Sequence, residues 1–333
     1  MEKITVLLES WYLENRRDLP FRTSREAYPV WVSEIMAQQT RIDTMLPYFA
    51  RWMQRWPTIG SLAEAEIQDV LKMWEGLGYY NRARNLHQGA KVIVERFEGI
   101  FPSTYADILD LPGIGPYTAA AIASIVYDEK VPAIDGNVLR VISRLLMMYD
   151  EISTASAKAI VHEAMTDWMD EARPHIFTQA MMELGALVCT PTTPDCMHCP
   201  LNAHCLAYQN GQSIDFPVKK TKAQVPVEYY DCYLLYDADG NIALSDRSDD
   251  GLMEGYFRFP VASQLQGMEI RDPQFLGSQK HVYSHKIWET RYYSAKINEV
   301  TDVFRWVSEA DLQELPLIGA HRKFYQKQKA CNE

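Results

Sequence analysis

Residues 111–118 have the sequence Leu111-Pro112-Gly113-Ile114-Gly115-Pro116-Tyr117-Thr118. The two glycines can adopt positive φ and leave backbone N–H groups uncovered, and Pro116 suits the first position of a helix. The alanine-rich residues that follow would continue that helix, so its N-terminus could hold an anion without a basic side chain. The stretch therefore predicts a helix-hairpin-helix, at about residues 105–126, that binds a phosphate.

A carboxylate follows soon after, in Ala133-Ile134-Asp135-Gly136-Asn137-Val138. Asp135 precedes an amphipathic run and is predicted to cap the next helix. Capping alone would account for an aspartate at this position. The same position also suits a catalytic anion, because the helix dipole and amide hydrogen bonds stabilise a carboxylate that faces a developing cation.

A second acidic candidate lies upstream, in Trp31-Val32-Ser33-Glu34-Ile35-Met36-Ala37-Gln38-Gln39-Thr40, on a helix predicted to begin at Pro29. Apolar neighbours flank Glu34, so burial is expected to raise its pKa and make it a proton donor. The alternative is an ordinary surface glutamate on an amphipathic helix.

The length and net charge of the chain limit the functions that it could have. The chain has 333 residues, enough for two domains, and a net charge of −11. An evenly spread negative charge would oppose DNA binding, because affinity comes largely from neutralised phosphates. A local basic footprint would remove that objection. Its candidates are Arg82, Arg84, His87, Arg140, Arg144, Lys219, Lys220 and Lys222.

The pattern of apolar residues divides the chain into three parts. Residues 1–209 show helical spacing and are predicted to form an all-α domain, residues 210–227 a linker, and residues 228–333 a domain with strands. Strands are expected at Tyr229–Tyr236, Ile242–Leu244 and Tyr292–Ile297, and a short helix at Ser308. The fold class is thus mainly α with a C-terminal α+β domain. The N-terminus lacks a targeting pattern and no apolar run reaches membrane-spanning length, so we expect a cytoplasmic protein.

Four cysteines lie in a short loop, residues 189–205, with the spacing Cys-x6-Cys-x2-Cys-x5-Cys: Cys189, Cys196, Cys199 and Cys205. Thiols clustered in this way indicate a metal site. Zinc modules usually pair two Cys-x2-Cys knuckles across a longer spacer, and only one knuckle is present here. Structural zinc remains an alternative.

The hairpin, Asp135 and the cysteine loop resemble those of the helix-hairpin-helix base-excision glycosylases. The resemblance to the adenine DNA glycosylases of the MutY type extends over nearly the whole chain. It includes Ser33-Glu34-Ile35-Met36, Trp74-Glu75-Gly76-Leu77-Gly78-Tyr79-Tyr80, Arg82-Ala83-Arg84-Asn85-Leu86 and Met182-Glu183-Leu184-Gly185-Ala186. It implies a monomeric, nucleoid-associated bacterial enzyme that excises adenine from double-stranded DNA where adenine pairs with 8-oxoguanine or guanine.

The resemblance also implies roles for individual residues. Glu34 would protonate adenine and Asp135 would stabilise or capture the sugar cation, with Tyr117 and Asn137 orienting them. DNA or lesion contacts are implied for Gln39, Tyr79, Arg82, Gly113 and Gly115. The four cysteines would hold a [4Fe-4S] cluster that orders a loop facing DNA.

Family members with lyase activity carry a lysine two places after the second hairpin glycine, where this chain has Tyr117. The sequence thus predicts a monofunctional glycosylase, because no amine is available there to attack the sugar. Two positions depart from the usual family pattern. Phe21 replaces a tryptophan and Ala37 replaces a leucine, and both lie near the adenine pocket in the family.

Residues 228–333 resemble the Nudix-like domain of the same family, through Gly251–Pro260 and Tyr283-Ser284-His285. We find no Arg-Glu-x2-Glu-Glu helix to hold magnesium, so recognition of the oxidised guanine by Ser284 and His285 is expected instead of hydrolysis. Two other functions stay open. One is an endonuclease III-like pyrimidine glycosylase, and the other a non-catalytic iron-sulfur protein that binds DNA or transfers electrons.

Overall fold

The first two hundred residues fold as helices, as the spacing of apolar residues predicts. A computed structural model describes residues 3–220, 225–246, 253–283, 286–298 and 300–332, with no side-chain description for 331 and 332. The helices of this part are α1 (Ile4–Asn15), α2 (Ala27–Ala37), α3 (Ile42–Arg55), α4 (Ile59–Ala63), α5 (Ile67–Trp74), α6 (Asn81–Phe97), α7 (Tyr105–Leu109), α8 (Pro116–Tyr127), α9 (Gly136–Leu145), α10 (Ala155–Met169), α11 (Pro174–Leu187) and α12 (Leu206–Gln209).

Local rules explain the hairpin between α7 and α8. Thr104 caps α7 by accepting the Asp107 N–H, and Pro116 is the first residue of α8, as predicted. Gly113 has φ +74°, a conformation that favours glycine, whereas Gly115 is extended at φ −97° and needs no such freedom. The alanines of α8 are fully buried, and small side chains let this helix pack against α2 and α11.

Residue contacts divide the chain into two units. The first contains Met1–Arg41, Trp56–Ala63 and Gln88–Lys222, and the second contains Ile42–Arg55, Glu64–His87 and Ala223–Glu333, counting only described residues. One core of the first unit lies among α1, α9, α10 and α11 and includes Leu8, Val141, Met165 and Phe177. The second unit thus contains α3, α5 and the start of α6 in addition to the C-terminal region. The predicted boundaries at residues 209 and 228 stay a prediction.

The C-terminal region forms a mixed five-stranded sheet in the order β3-β4-β1-β2-β5. Its elements are β1 (Val227–Tyr236), β2 (Ile242–Leu244), β3 (Ile270–Val282), β4 (Ile287–Ile297), β5 (Arg305–Val307), α13 (Glu309–Glu314) and α14 (Gly319–Asn332). β1 and β4 are parallel, and the other pairs are antiparallel. Ser308 caps α13 as predicted. The expected mainly α fold with a strand-containing C-terminal domain is confirmed.

Some local features differ from the sequence-based expectations. Helix α2 begins at Ala27, so Pro29 lies in its first turn. Strand β3 was not predicted, because Asp272-Pro273 and two register shifts interrupt its alternation. It lies at the sheet edge, where proline is tolerated. Helix α14 was also missed. Among the described residues, no helix combines the length and the apolar character needed to span a bilayer.

Candidate active site

Asp135 is the N-cap of α9, and its carboxylate is held by three donors. Oδ1 accepts the backbone N–H groups of Asn137 (2.9 Å) and Val138 (2.8 Å), while Oδ2 accepts the Asn137 side-chain amide at 2.7 Å. These donors and the start of the helix stabilise a negative charge. The carboxylate is therefore fixed in direction and suited to face a cation.

Glu34 lies on α2, partly buried among apolar residues. Burial raises its pKa to about 7, and the nearby charge of Asp135 acts in the same direction. The Tyr117 hydroxyl donates to Glu34 Oε2 at 3.0 Å and opposes part of that increase. Burial also raises the pKa of Tyr117 well above its usual value, so this hydroxyl stays a donor. The site thus combines an acid that is half protonated near neutral pH with a fixed carboxylate.

The hairpin is joined to Glu34 through Tyr117, the second residue of α8. No side chain caps the N-terminus of α8, and a Cβ added at Gly115 would meet nothing within 4 Å. One turn into α8, Thr118 accepts a hydrogen bond from Gln38 at 3.2 Å. An uncovered helix start in open space is the geometry that an anion requires.

Helix α9 also connects Asp135 to the cysteine loop. The Asn137 oxygen accepts from Arg140 Nη2 at 2.9 Å, and the same Nη2 donates to the Gly185 carbonyl at 2.7 Å. Arg140 Nε donates to the Cys189 carbonyl at 2.8 Å. A continuous set of hydrogen bonds therefore runs from the first cysteine of the loop to the carboxylate of Asp135.

One buried ion-pair cluster was not recognised from the sequence. Glu183 on α11 is 1% exposed and binds both Arg17 (2.7 Å) and Arg22 (2.9 Å). Although burial opposes ionisation, hydrogen bonds from the two arginines lower the pKa of Glu183 to about 2. A glutamate inside the apolar run of α11 was the available signal, because a buried charge requires partners. The cluster fixes the N-terminal segment to α11.

The four cysteine side chains line a single cavity, together with Arg144 from α9. Arg144 is 1% exposed and donates to Cys189 Sγ (3.2 Å) and to three backbone carbonyls of this region. Within the described part of the chain, no three His, Cys, Asp or Glu side chains are grouped closely enough to hold a single metal ion. The donor set consists only of thiols, which fits an iron-sulfur cluster and, by chemistry alone, also zinc.

Gln39 and Tyr79, two of the residues for which DNA contacts are implied, adopt positive φ. Gln39, at the end of α2 in the first unit, has φ +53° and is exposed. Tyr79, in the second unit, has φ +48° and is 44% exposed. Such conformations cost energy in non-glycine residues and cluster at functional sites.

The predicted basic footprint requires a correction. Arg140 and Arg144 are buried and bind carbonyls, so they do not form an exposed basic surface. Arg82 is also buried, and its Nη2 donates to the carbonyls of Leu77 and Gly78. Lys219 and Lys220 are exposed. Lys222, Ser284 and His285 lie outside the described residues.

Gly185 provides a test of the Asp135 support. A Cβ at this position would lie 2.6 Å from Asn137 Cβ. Alanine normally stabilises a helix relative to glycine by about 1 kcal/mol, but here it must displace Asn137. We expect Gly185→Ala to lower the free energy of unfolding by about 1–3 kcal/mol. We also expect it to lower any activity that depends on the position of Asp135, because Asn137 holds that carboxylate.

The matched control is Gly60→Ala on α4, where the nearest atom would be 4.0 Å away. It is expected to leave stability unchanged or slightly higher. Denaturant unfolding and a single-turnover rate measure both variants. An equal free energy of unfolding in the two variants would contradict the tight packing of Gly185 on Asn137.

Comparisons with known proteins identify the family of this chain. Residues 32–168 match the family of HhH-GPD superfamily base excision DNA repair proteins, and residues 232–327 match the NUDIX domain. The adenine DNA glycosylase of Rattus norvegicus is 32% identical, over 96% of this chain and 76% of that protein. The adenine DNA glycosylase of Buchnera aphidicola subsp. Baizongia pistaciae is 32% identical, over 83% and 81%. The chain belongs to the adenine DNA glycosylase family.

Solved structures extend the comparison to the fold of the helical part. A thermostable thymine-DNA glycosylase matches with TM-score 0.55 and 23% identity, over 62% of this chain and 95% of that chain. A non-covalent endonuclease III-DNA complex matches with TM-score 0.52 and 19% identity, over 63% and 99%. Within the adenine DNA glycosylase family, the chain is a DNA N-glycosylase of base-excision repair.

The two departures from the usual adenine DNA glycosylase pattern lie in the first unit. Phe21 precedes Arg22, whose guanidinium binds Glu183, and Ala37 is the last residue of α2, which carries Glu34. Both are partly buried. Neither position supplies a group that could replace Glu34 or Asp135 chemically.

Proposed function

We propose that this protein flips adenine out of double-stranded DNA, where adenine is mispaired with 8-oxoguanine or guanine, and hydrolyses its N-glycosidic bond. The observation that carries this proposal is the pair formed by Glu34, with a pKa of about 7, and Asp135, held by three donors. Adenine leaves readily only when protonated, and the sugar left behind has oxocarbenium character. Two carboxyl groups in different protonation states meet both requirements.

In this mechanism Glu34 is the general acid. The protonated carboxyl gives its proton to the adenine ring at N7, and the carboxylate that remains can activate water. Tyr117 keeps the Glu34 side chain in one orientation through their hydrogen bond. Buried surroundings keep a large fraction of Glu34 protonated at the pH of the cell.

Asp135 would stabilise the sugar cation as the bond to adenine breaks. Its two oxygens are already occupied by fixed donors, so little reorganisation is needed during the reaction. Asn137 orients the carboxylate and is itself held by Arg140. Because position 117 is tyrosine, no lysine is present there to form a Schiff base, and we propose a monofunctional enzyme.

DNA contacts are proposed for the hairpin and for two wedge residues, Gln39 and Tyr79, which would insert between stacked bases. The open N-terminus of α8, with Gly113 and Gly115, suits a backbone phosphate. Gln39 and Tyr79 are exposed, and a planar amide or ring can enter the base stack beside a flipped nucleotide. Arg82 would act indirectly by fixing the carbonyls before Tyr79.

The C-terminal domain would recognise the base opposite adenine, through Ser284 and His285. A panel of duplexes tests both parts of the proposal: adenine opposite 8-oxoguanine, guanine, cytosine and thymine, with base release measured after alkaline treatment. Release of adenine opposite 8-oxoguanine, with slower release opposite guanine, is expected. An intact adenine:8-oxoguanine strand, or a lysine adduct trapped by borohydride, would contradict the proposal.

The same panel separates lesion recognition from catalysis. The double variant Ser284→Ala, His285→Ala should lose more activity on adenine:8-oxoguanine than on adenine:guanine. Equal losses on the two substrates would assign no lesion-specific role to these residues. A DNA substrate would place the protein with the chromosome in the cytoplasm, and we also propose that it is a monomer.

Cys189, Cys196, Cys199 and Cys205 would hold the proposed [4Fe-4S] cluster, which would order the loop they form. We expect purified protein to be brown and to contain about four iron and four sulfide per chain. Cys199→Ser should lower the iron content and destabilise the loop, whereas Cys232→Ser should leave iron unchanged because Cys232 is buried in the sheet domain. Colourless protein with stoichiometric zinc would support the zinc alternative.

A further inference from the structure

The turn from Trp74 to Tyr80 is held from within the helical part of the second unit. Trp74 Nε1 donates to the Gly78 carbonyl at 3.1 Å, and the Tyr48 hydroxyl donates to the Glu75 carbonyl at 3.1 Å. The Arg82 guanidinium lies over the Trp74 ring at 5.2 Å. Tyr79 therefore emerges, exposed and at positive φ, from a turn with fixed carbonyls.

The C-terminal region of the same unit holds this turn through an ion pair. Arg322 on α14 donates to Glu75 with Nε (2.5 Å) and Nη2 (3.3 Å), and the two side chains are 9% and 12% exposed. Arg322 also donates from Nη1 to the Leu312 carbonyl (3.1 Å) and from Nη2 to the Leu315 carbonyl (2.7 Å). Lys72 joins the same cluster, since it binds Glu75 and the Gln313 carbonyl. This pair joins α14 to the first residue after α5.

Aromatic contacts hold the other end of the turn. The buried Tyr256 hydroxyl donates to the Leu71 carbonyl at 2.6 Å, and its ring lies 4.0 Å from the ring of Tyr80. The Tyr80 hydroxyl accepts the backbone N–H of Gly319, the first residue of α14, at 3.2 Å. Tyr79 therefore lies in the chain between Glu75 and Tyr80, and each of these two residues contacts the C-terminal region.

We propose that Arg322 and Tyr256 are positioning residues through which the C-terminal region keeps Tyr79 in the conformation that enters the DNA stack. This inference rests on the proposed function, in which Tyr79 is a wedge beside the lesion. The domain that recognises the base opposite adenine would then contribute to the wedge without touching DNA at these residues. A turn held at both ends leaves Tyr79 little freedom to adopt another backbone conformation.

The ion pair allows a balanced substitution. Removing only Arg322 would leave the buried Glu75 charge with Lys72 as its remaining ionic partner, which is costly. Removing one charge of each sign keeps the net charge of the cluster unchanged, and Lys72 can still bind the Gln313 carbonyl. The test variant is therefore Arg322→Met combined with Glu75→Gln. Arg322→Lys keeps the charge without the forked geometry. The matched control is Arg291→Met, which breaks the exposed Arg291–Asp231 pair of the sheet, at 2.6 Å.

Two measurements report on Tyr79. The first is the single-turnover rate of adenine release from an adenine:8-oxoguanine duplex. The second is the fluorescence of 2-aminopurine placed next to the mispair, which increases when the base step is unstacked on binding. Each variant is measured with and without Tyr79→Ala, and thermal melting identifies any variant that is unfolded.

We expect the double variant to lower the release rate about tenfold and to reduce the fluorescence increase, because a small misplacement of a positioning group is costly. In the Tyr79→Ala background the same substitutions should cost little more, since the affected side chain is already absent. Arg322→Lys should be intermediate, and Arg291→Met should match the unsubstituted protein.

The inference would be overturned if the double variant lowered the release rate by the same factor with and without Tyr79→Ala. It would also be overturned if the release rate and fluorescence of the double variant equalled those of Arg291→Met. A Tyr79→Ala variant without any effect on fluorescence or rate would also overturn it. If the unsubstituted protein released no base from any mispair, the proposed function would fail. The fluorescence comparison on bound DNA would still decide whether Arg322 positions Tyr79.

Discussion

Glu34→Gln should abolish most of the base release. The amide cannot give a proton to adenine, and general acid catalysis contributes about 10²–10⁴-fold, so we expect a loss of about 10³-fold or more. Glutamine can still accept the Tyr117 hydroxyl that now donates to Oε2 at 3.0 Å, so the fold should be kept. Single-turnover release on adenine:8-oxoguanine measures the loss, and a gel-shift assay checks that DNA binding remains.

The pH dependence follows from the same side chain. Burial raises the pKa of Glu34 to about 7, so the acid form is present below pH 7 and is lost above it. The single-turnover rate should be highest below about pH 7 and fall about tenfold per pH unit well above it, whereas the residual rate of Glu34→Gln should lack this step. A rate that increases with pH across neutrality would contradict the role of Glu34 as acid.

Tyr117→Phe provides a matched control for this profile. It removes the hydrogen bond that lowers the pKa of Glu34, while burial remains. The decline in rate should therefore move to higher pH, although looser positioning should lower the maximum. A decline at unchanged pH would show that Glu34 does not determine the profile.

Asp135→Asn should have an effect of similar size, about 10³-fold on base release, because it removes the charge that we propose faces the sugar cation. Asparagine is itself a good helix cap, so the substitution separates capping from charge. Asp135→Ser is a second variant of the same kind, since serine also caps well without a charge. Both should retain DNA binding and most of the stability of α9.

Asp135→Ala completes the comparison. Alanine removes the charge and the cap together, so it should lose base release to the same extent and also about 1 kcal/mol of stability. Base-release rates and thermal melting distinguish the two effects. Retained release in Asp135→Asn or Asp135→Ser would mean that Asp135 only caps α9, the alternative that the sequence left open.

The sequence predicted those features that depend on neighbouring residues. Pro116 begins α8, Asp135 caps α9 and Ser308 caps α13, because caps and helix starts follow from hydrogen bonds within three or four residues. The four cysteines were also evident, since their spacing is compact. The resemblance to the glycosylases added the candidate roles of Glu34 and Asp135, which remain proposals for the experiments above.

Only the tertiary structure decided which side chains meet across long distances in the sequence. Tyr117 contacts Glu34 from 83 positions away, and Glu75 contacts Arg322 from 247 positions away. The burial of Arg140 and Arg144 was likewise not predictable, because a surface arginine and one that binds buried carbonyls have the same local pattern. Local propensity specifies caps, helices and turns, whereas the packing of the helices determines which partners a buried charge meets. That packing brings Tyr117 to Glu34 and Arg322 to Glu75.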